Sequence, residues 1–243
     1  MRDLKAAIEN LYDTFSPYTT LGMQHCDCGC ISEADVQKLF SKPLKELTVD
    51  DLVFYLGKAM TTWGEVQHYK HFLPRICELY TYQRSSGVIE FYDIENKLDY
   101  AQWKEWPVIE IAAVMDFVQE DWKAFAKESV SEIRLTDLEA YLQFYSLEAL
   151  VRLWPIAQSN TALQNFVQFF YFHGNEILNY KPILKEKVSV NELRDLIYTN
   201  GLTERLQDAF FKNEATEKEY AEKVSVVLQM IEQALKADQI YSR

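Results

Sequence analysis

The residues with the most chemistry in them form one run, His25-Cys26-Asp27-Cys28-Gly29-Cys30, which holds three of the four cysteines and one of the four histidines. Thiolates two residues apart can both face one ion if the backbone folds around it, and Gly29 permits the positive φ that such a wrap needs. Zinc favours four sulfur or nitrogen donors in a tetrahedron. Cys26, Cys28 and Cys30 would supply three of them, with His25 or His71 as the candidate fourth and His68 or Cys77 as further candidates. The spacing differs from the usual zinc pattern of two well-separated cysteine pairs. Ser32 to Asp35 reads as the cap of a helix reaching about Phe40, which places the thiols just before a helix N-terminus, where thiolates are favoured. Three readings stay open: a structural zinc site, redox-active or peroxide-sensitive thiols, and reduced cysteines on a loop without chemistry. A permanent disulfide is not expected, because the chain reads as cytosolic and i,i+2 pairs close strained rings.

The second dense segment runs from Thr61-Thr62-Trp63-Gly64 to His71-Phe72-Leu73-Pro74-Arg75. His68 and His71 are three apart and share a face on a helix, without the Glu and the four-residue spacing of zinc peptidases. Pro74 is expected to break or kink that helix. The plain alternative makes Trp63, Phe72 and Leu73 core and puts Lys70 and Arg75 on the surface. Cys77 and His71 flank Pro74, so their contact as a nucleophile and base cannot be read from spacing. Glycine-rich phosphate loops, zinc-peptidase helices and nucleophile elbows are all missing from the sequence, and no catalytic residue is assigned.

The run Leu47-Thr48-Val49-Asp50-Asp51-Leu52, continued by Lys58-Ala59, Thr61-Thr62-Trp63-Gly64 and His71-Phe72-Leu73-Pro74-Arg75, resembles a family of uncharacterised bacterial cytosolic helical proteins. Members carry a cysteine-rich knot upstream, in the place of Cys26, Cys28 and Cys30, though often with two adjacent cysteines where this chain alternates Cys with Asp27 and Gly29. The resemblance covers about residues 10 to 82. It implies a bacterial, cytoplasmic protein and carries no catalytic role.

The elements that must position these residues are helices. Apolar residues recur at helical spacing along Leu4, Ile8, Leu11 and Phe15, along Leu52, Leu56 and Ala59, and from Val108 through Ile111, Met115, Val118 and Trp122. Thr48 with Asp51 and Ser189 with Glu192 have capping-box spacing, and Thr136 and Ser146 are candidate caps. Only Gly87 to Tyr92 looks extended. Four consecutive aromatics, Phe169 to Phe172, cannot share one helix face, which predicts a helix buried nearly all round. The fold class expected is all-α, about ten helices stacked antiparallel as an irregular bundle or a short solenoid-like array. It forms one domain, 1–243, with room for two lobes: a Cys-rich 1–84 and an acidic, aromatic 88–243, meeting at Gln83 to Gly87.

Charge narrows the function. The chain has 25 Lys+Arg against 37 Asp+Glu, net −12, with a pI near 4.9 and mean hydropathy −0.24. A phosphate-gripping protein needs a basic face, so nucleic acid is excluded as a partner. No membrane span or targeting segment is read. Between Val88 and Val151 there are 14 acidic and 5 basic side chains, which makes an acidic block suited to a basic protein partner. The functional expectation is a non-enzymatic cytoplasmic interaction protein with a zinc site, of the immunity or antitoxin kind, whose acidity would mask a basic toxin. The alternative is a metal- or thiol-dependent enzyme or sensor centred on Cys26, Cys28 and Cys30.

Overall fold

A computed structural model describes residues 3–128, 133–178 and 201–241. Among them it is all-α, as expected, with eleven α-helices. In chain order these are α1 (Leu4–Phe15), α2 (Glu33–Leu39), α3 (Val49–Lys58), α4 (Val66–Tyr82), α5 (Phe91–Tyr100), α6 (Val108–Phe125), α7 (Leu135–Tyr141), α8 (Leu147–Leu153), α9 (Asn160–Leu178), α10 (Leu202–Asn213) and α11 (Lys218–Tyr241). No helix among the described residues is long and apolar enough to cross a membrane. The chain divides into two compact units, Met1–Asp121 and Trp122–Arg243.

The first unit is built around α4. Asp3 caps α1, its Oδ1 accepting from the Ala6 N–H at 2.9 Å, and the helix buries Ala7, Ile8, Leu11 and Phe15 against α4. Full burial of side chains such as Leu11 is worth about 1.5–3 kcal/mol each. Asp51 opens α3 by accepting from the Thr48 N–H and hydroxyl, each at 2.8 Å, as the spacing predicts. Tyr55 of α3 then packs on Phe72 of α4, ring centroids 4.6 Å apart, and on Trp63 at 5.5 Å. The expected break at Pro74 is not there: α4 runs through it. An interior proline costs about 3 kcal/mol, and buried Leu73, Ile76, Cys77 and Tyr80 around it offset that loss through packing.

Gln83 to Gly87 lies inside this unit. Arg84–Ser86 form a 3-10 turn that ends on Gly87 at φ 63°, and Arg84 reaches back to Asp121 at 2.5 Å. The extended reading of Gly87 to Tyr92 is corrected as well. Phe91 begins α5, because Asp93 accepts from the Glu90 N–H at 2.9 Å and caps the turn.

In the second unit the core is aromatic. Trp122 lies 4.9 Å from Tyr141 and 5.2 Å from Trp154, and Trp154 lies 5.4 Å from Phe166. Both indoles also donate to carbonyls, Trp122 to Leu150 at 2.8 Å and Trp154 to Ala162 at 3.0 Å, so neither buries an unsatisfied N–H. Phe166, Phe169 and Phe170 are buried, but Phe172 is 54% exposed. The helix buried on all sides is thus replaced by one with an i, i+3, i+4 buried stripe. Ser146 caps α8 as expected. The cap of α7 sits two residues before Thr136, at Arg134, where Asp137 closes the box. The Ser189 and Glu192 box lies outside the described residues.

Candidate metal centre

The loop between α1 and α2 carries the sulfur cluster, and its position is set by the turn between α3 and α4. The Cys26 N–H donates to the Thr62 carbonyl at 2.9 Å, and the Gly64 N–H donates to the Gln24 carbonyl at 2.7 Å. His25 and Trp63 thereby form an antiparallel bridge, with the Trp63 side chain buried beneath it at 2% exposure. Gly64 has φ +70°, and a Cβ there would meet His68 Cβ at 3.1 Å and Met23 Cε at 3.2 Å. Only glycine lets the turn come this close to the loop.

Further up the loop, two histidines fasten the backbone. His68 Nδ1 accepts from the Glu65 N–H at 2.9 Å. That leaves the ring proton on Nε2, which faces the Leu21 carbonyl at 3.3 Å. The Nδ1 of His71 donates to the Tyr18 carbonyl at 2.8 Å. The shared helical face predicted for this pair exists: His68 uses both ring nitrogens on the loop backbone, His71 uses Nδ1 and keeps the Nε2 lone pair, and neither joins the sulfur group.

Against that frame the three sulfurs converge. Cys30 Sγ lies 2.7 Å from Cys28 Sγ and 3.0 Å from Cys26 Sγ. Cys26 and Cys28 are paired as a disulfide with Cα atoms 5.4 Å apart. That separation falls in the ordinary disulfide range of about 4.4–6.8 Å, where the sequence argued against such a bond. Gly29 is at φ +77° with nothing within 4 Å of a Cβ position, so the wrap turns on its outer side, where Cys28 is exposed. The sulfur atoms of Cys26, Cys28 and Cys30 all lie within 4.8 Å of one another, a group that can hold a metal ion once the Cys26–Cys28 pair is reduced to thiolates.

The remaining candidates of the first unit do not join the trio. His25 turns Nδ1 toward the Cys26 carbonyl at 3.1 Å. His71 donates from Nδ1 to the Tyr18 carbonyl, and Cys77 is buried on α4. Burial, and secondarily Asp121, pushes the Cys77 thiol well up, which favours its inert neutral form. His173 lies on α9 in the second unit, beside Phe169.

One polar cluster escaped sequence reasoning. Lys70, expected at the surface, is only 7% exposed. Its Nζ lies 2.6 Å from Glu110 Oε2 and 3.2 Å from the Tyr18 hydroxyl, and 4.2 Å over the Trp106 ring. Tyr18 in turn donates to Glu110 Oε1 at 2.5 Å. Burial first, then the bond to Glu110, raises the Tyr18 hydroxyl above its usual value. Arg75, also expected at the surface, instead donates to the Leu47 carbonyl at 2.7 Å and to Glu78 at 2.5 Å. No sequence signal ties Lys70 to a partner 40 residues away. The nearest hint is its place between two histidines that also face inward.

Compared with family models, with curated proteins and with solved structures, the chain finds no match.

Proposed function

We propose that this is a non-enzymatic interaction protein of the bacterial cytoplasm whose α1–α2 loop is locked by zinc on Cys26, Cys28 and Cys30. The convergence of three sulfurs within 4.8 Å carries the reading. Thiolate donors suit zinc, with Zn–S bonds of about 2.3 Å. A metal there supplies order to an exposed loop that has little core of its own. The bacterial cytoplasm is part of this proposal and rests on the resemblance read over about residues 10 to 82. The acidic block supports a basic protein as partner, in the manner of an immunity protein or antitoxin.

Elemental analysis of protein purified under reducing conditions without added metal tests the site. About one zinc per chain is expected, and Cys28→Ser should abolish it. A wild-type chain without metal, or a Cys28→Ser chain that keeps it, sinks the reading. For the partner, capture of a basic protein at low salt that weakens as ionic strength rises is expected, and salt-independent capture counts against the acidic face.

A second reading has its own observation, the Cys26–Cys28 pair with the Cys30 sulfur beside it. In that form the trio is a thiol switch. Intact mass and thiol alkylation before and after reductant would then differ by one disulfide, with no metal bound in either state.

A further inference from the structure

Resting on the zinc reading, we propose that Cys28 is a site of oxidation by hydroperoxides, and that its oxidation closes the Cys26–Cys28 disulfide and expels the metal. One set of sulfurs serves both states. The Sγ atoms of Cys26, Cys28 and Cys30 lie within 4.8 Å of one another, close enough to share an ion. The first two also pair as a disulfide, with Cys30 left as a thiol beside them.

Exposure picks out Cys28. It is the exposed member of the trio, whereas Cys26 and Cys30 are half-buried. A thiol on a metal ion is held as the thiolate. Thiolate character and access together decide which cysteine is oxidised, and metal-bound Cys28 has both. Cys77, buried on α4, has no such access.

The chemistry balances with hydrogen peroxide as the oxidant. The Cys28 thiolate attacks one peroxide oxygen and breaks the O–O bond, giving a sulfenic acid and releasing hydroxide. The Cys26 thiolate then attacks the Cys28 sulfur, forms the S–S bond and releases the second hydroxide. The two thiolates together lose the electron pair that the peroxide gains. The ion is left with the Cys30 thiolate alone, too few donors for a zinc site. With the disulfide in place, the Cys26 N–H still reaches the Thr62 carbonyl and the Gly64 N–H the Gln24 carbonyl. Oxidation therefore keeps the loop fastened, and a thiol that attacks the exposed Cys28 sulfur can reverse it.

The test uses the full chain, reduced, loaded with zinc and treated with hydrogen peroxide. About one zinc per chain should be released, as the intact mass falls by the hydrogens lost in forming a single disulfide. Fragment mass spectrometry after alkylation should find Cys26 joined to Cys28, with Cys30 and Cys77 alkylated. Dithiothreitol and added zinc should then restore the metal content. Dimedone labelling compares Cys28 in Cys26→Ser/Cys30→Ser with Cys26 in Cys28→Ser/Cys30→Ser. Under the same peroxide, Cys28 should label about tenfold faster.

Four results overturn the proposal and leave the zinc reading standing: metal that stays bound under peroxide, a disulfide that involves Cys30 or a second chain, metal loss that reductant does not reverse, or equal labelling in the two double variants. A reduced chain that never holds zinc removes the zinc reading and this inference with it.

Discussion

In the loop that carries the sulfurs, Leu21 is 87% exposed, and order comes from backbone bonds to the α3–α4 turn and from the mutual contact of three sulfurs, two of them paired as a disulfide. At the Lys70–Glu110 pair the situation is reversed: both side chains are under 10% exposed, and order comes from burial that makes every hydrogen bond obligatory. Both regions belong to the first unit, and α4 serves both, since His68 and His71 face the loop while Lys70 faces Glu110. The difference separates two ways of fixing polar groups. A buried pair is costly to break because each partner strands the other, whereas an exposed cluster gains its order from what it binds.

Removing one partner of the buried pair is the harshest test of that contrast. Glu110→Ala should cost about 3–5 kcal/mol in urea unfolding, and Lys70→Met combined with Glu110→Met should recover most of it. A stable single variant would put the pair on the same footing as the loop.

Next in size is the metal. Zinc at about 100 times its dissociation constant should stabilise by about 2.7 kcal/mol. Thermal unfolding with and without chelator reads this difference, which should vanish in Cys28→Ser and persist in Glu110→Ala.

Gly64→Ala should cost about 1–2 kcal/mol for a left-handed backbone alone, and more if His68 cannot give way at 3.1 Å. Its effect should fall on the loop, as a weakened metal affinity.

Smallest is Asp51, which belongs to neither region and gauges the background. Burial raises its carboxyl, but Lys42 at 2.8 Å and the two bonds from Thr48 outweigh this and hold it down at about 2. Folding thus lowers this group from an ordinary value of about 3.9. Its contribution is complete above pH about 4 and is lost as pH falls toward 2. Asp51→Asn should cost about 1 kcal/mol at neutral pH and flatten that acid limb of the stability curve.

What the sequence could show followed from range. Helices were legible because their apolar spacing and caps are local: Ser32 with Asp35, Thr48 with Asp51, and Ser146 all open helices. The sulfur trio was legible for the same reason, since its members lie within five residues. The partners of His68 and His71 were not, because loop carbonyls 47 and 53 residues distant leave no trace in side-chain pattern. Lys70 failed likewise, its charge reading as surface until Glu110 closes on it. Local signals also misled where packing outvoted them. Pro74 stays within α4, and Phe91 and Tyr92, which look extended by type, begin α5 once Asp93 caps it.

The crossed bonds between loop and turn have one more consequence. Cys26 and Gly64 are half-buried, and each gives its N–H to a carbonyl across the gap. In deuterated water these two amides should retain their protons long after their neighbours have traded them, marking the clasp as a single unit that opens all at once or not at all.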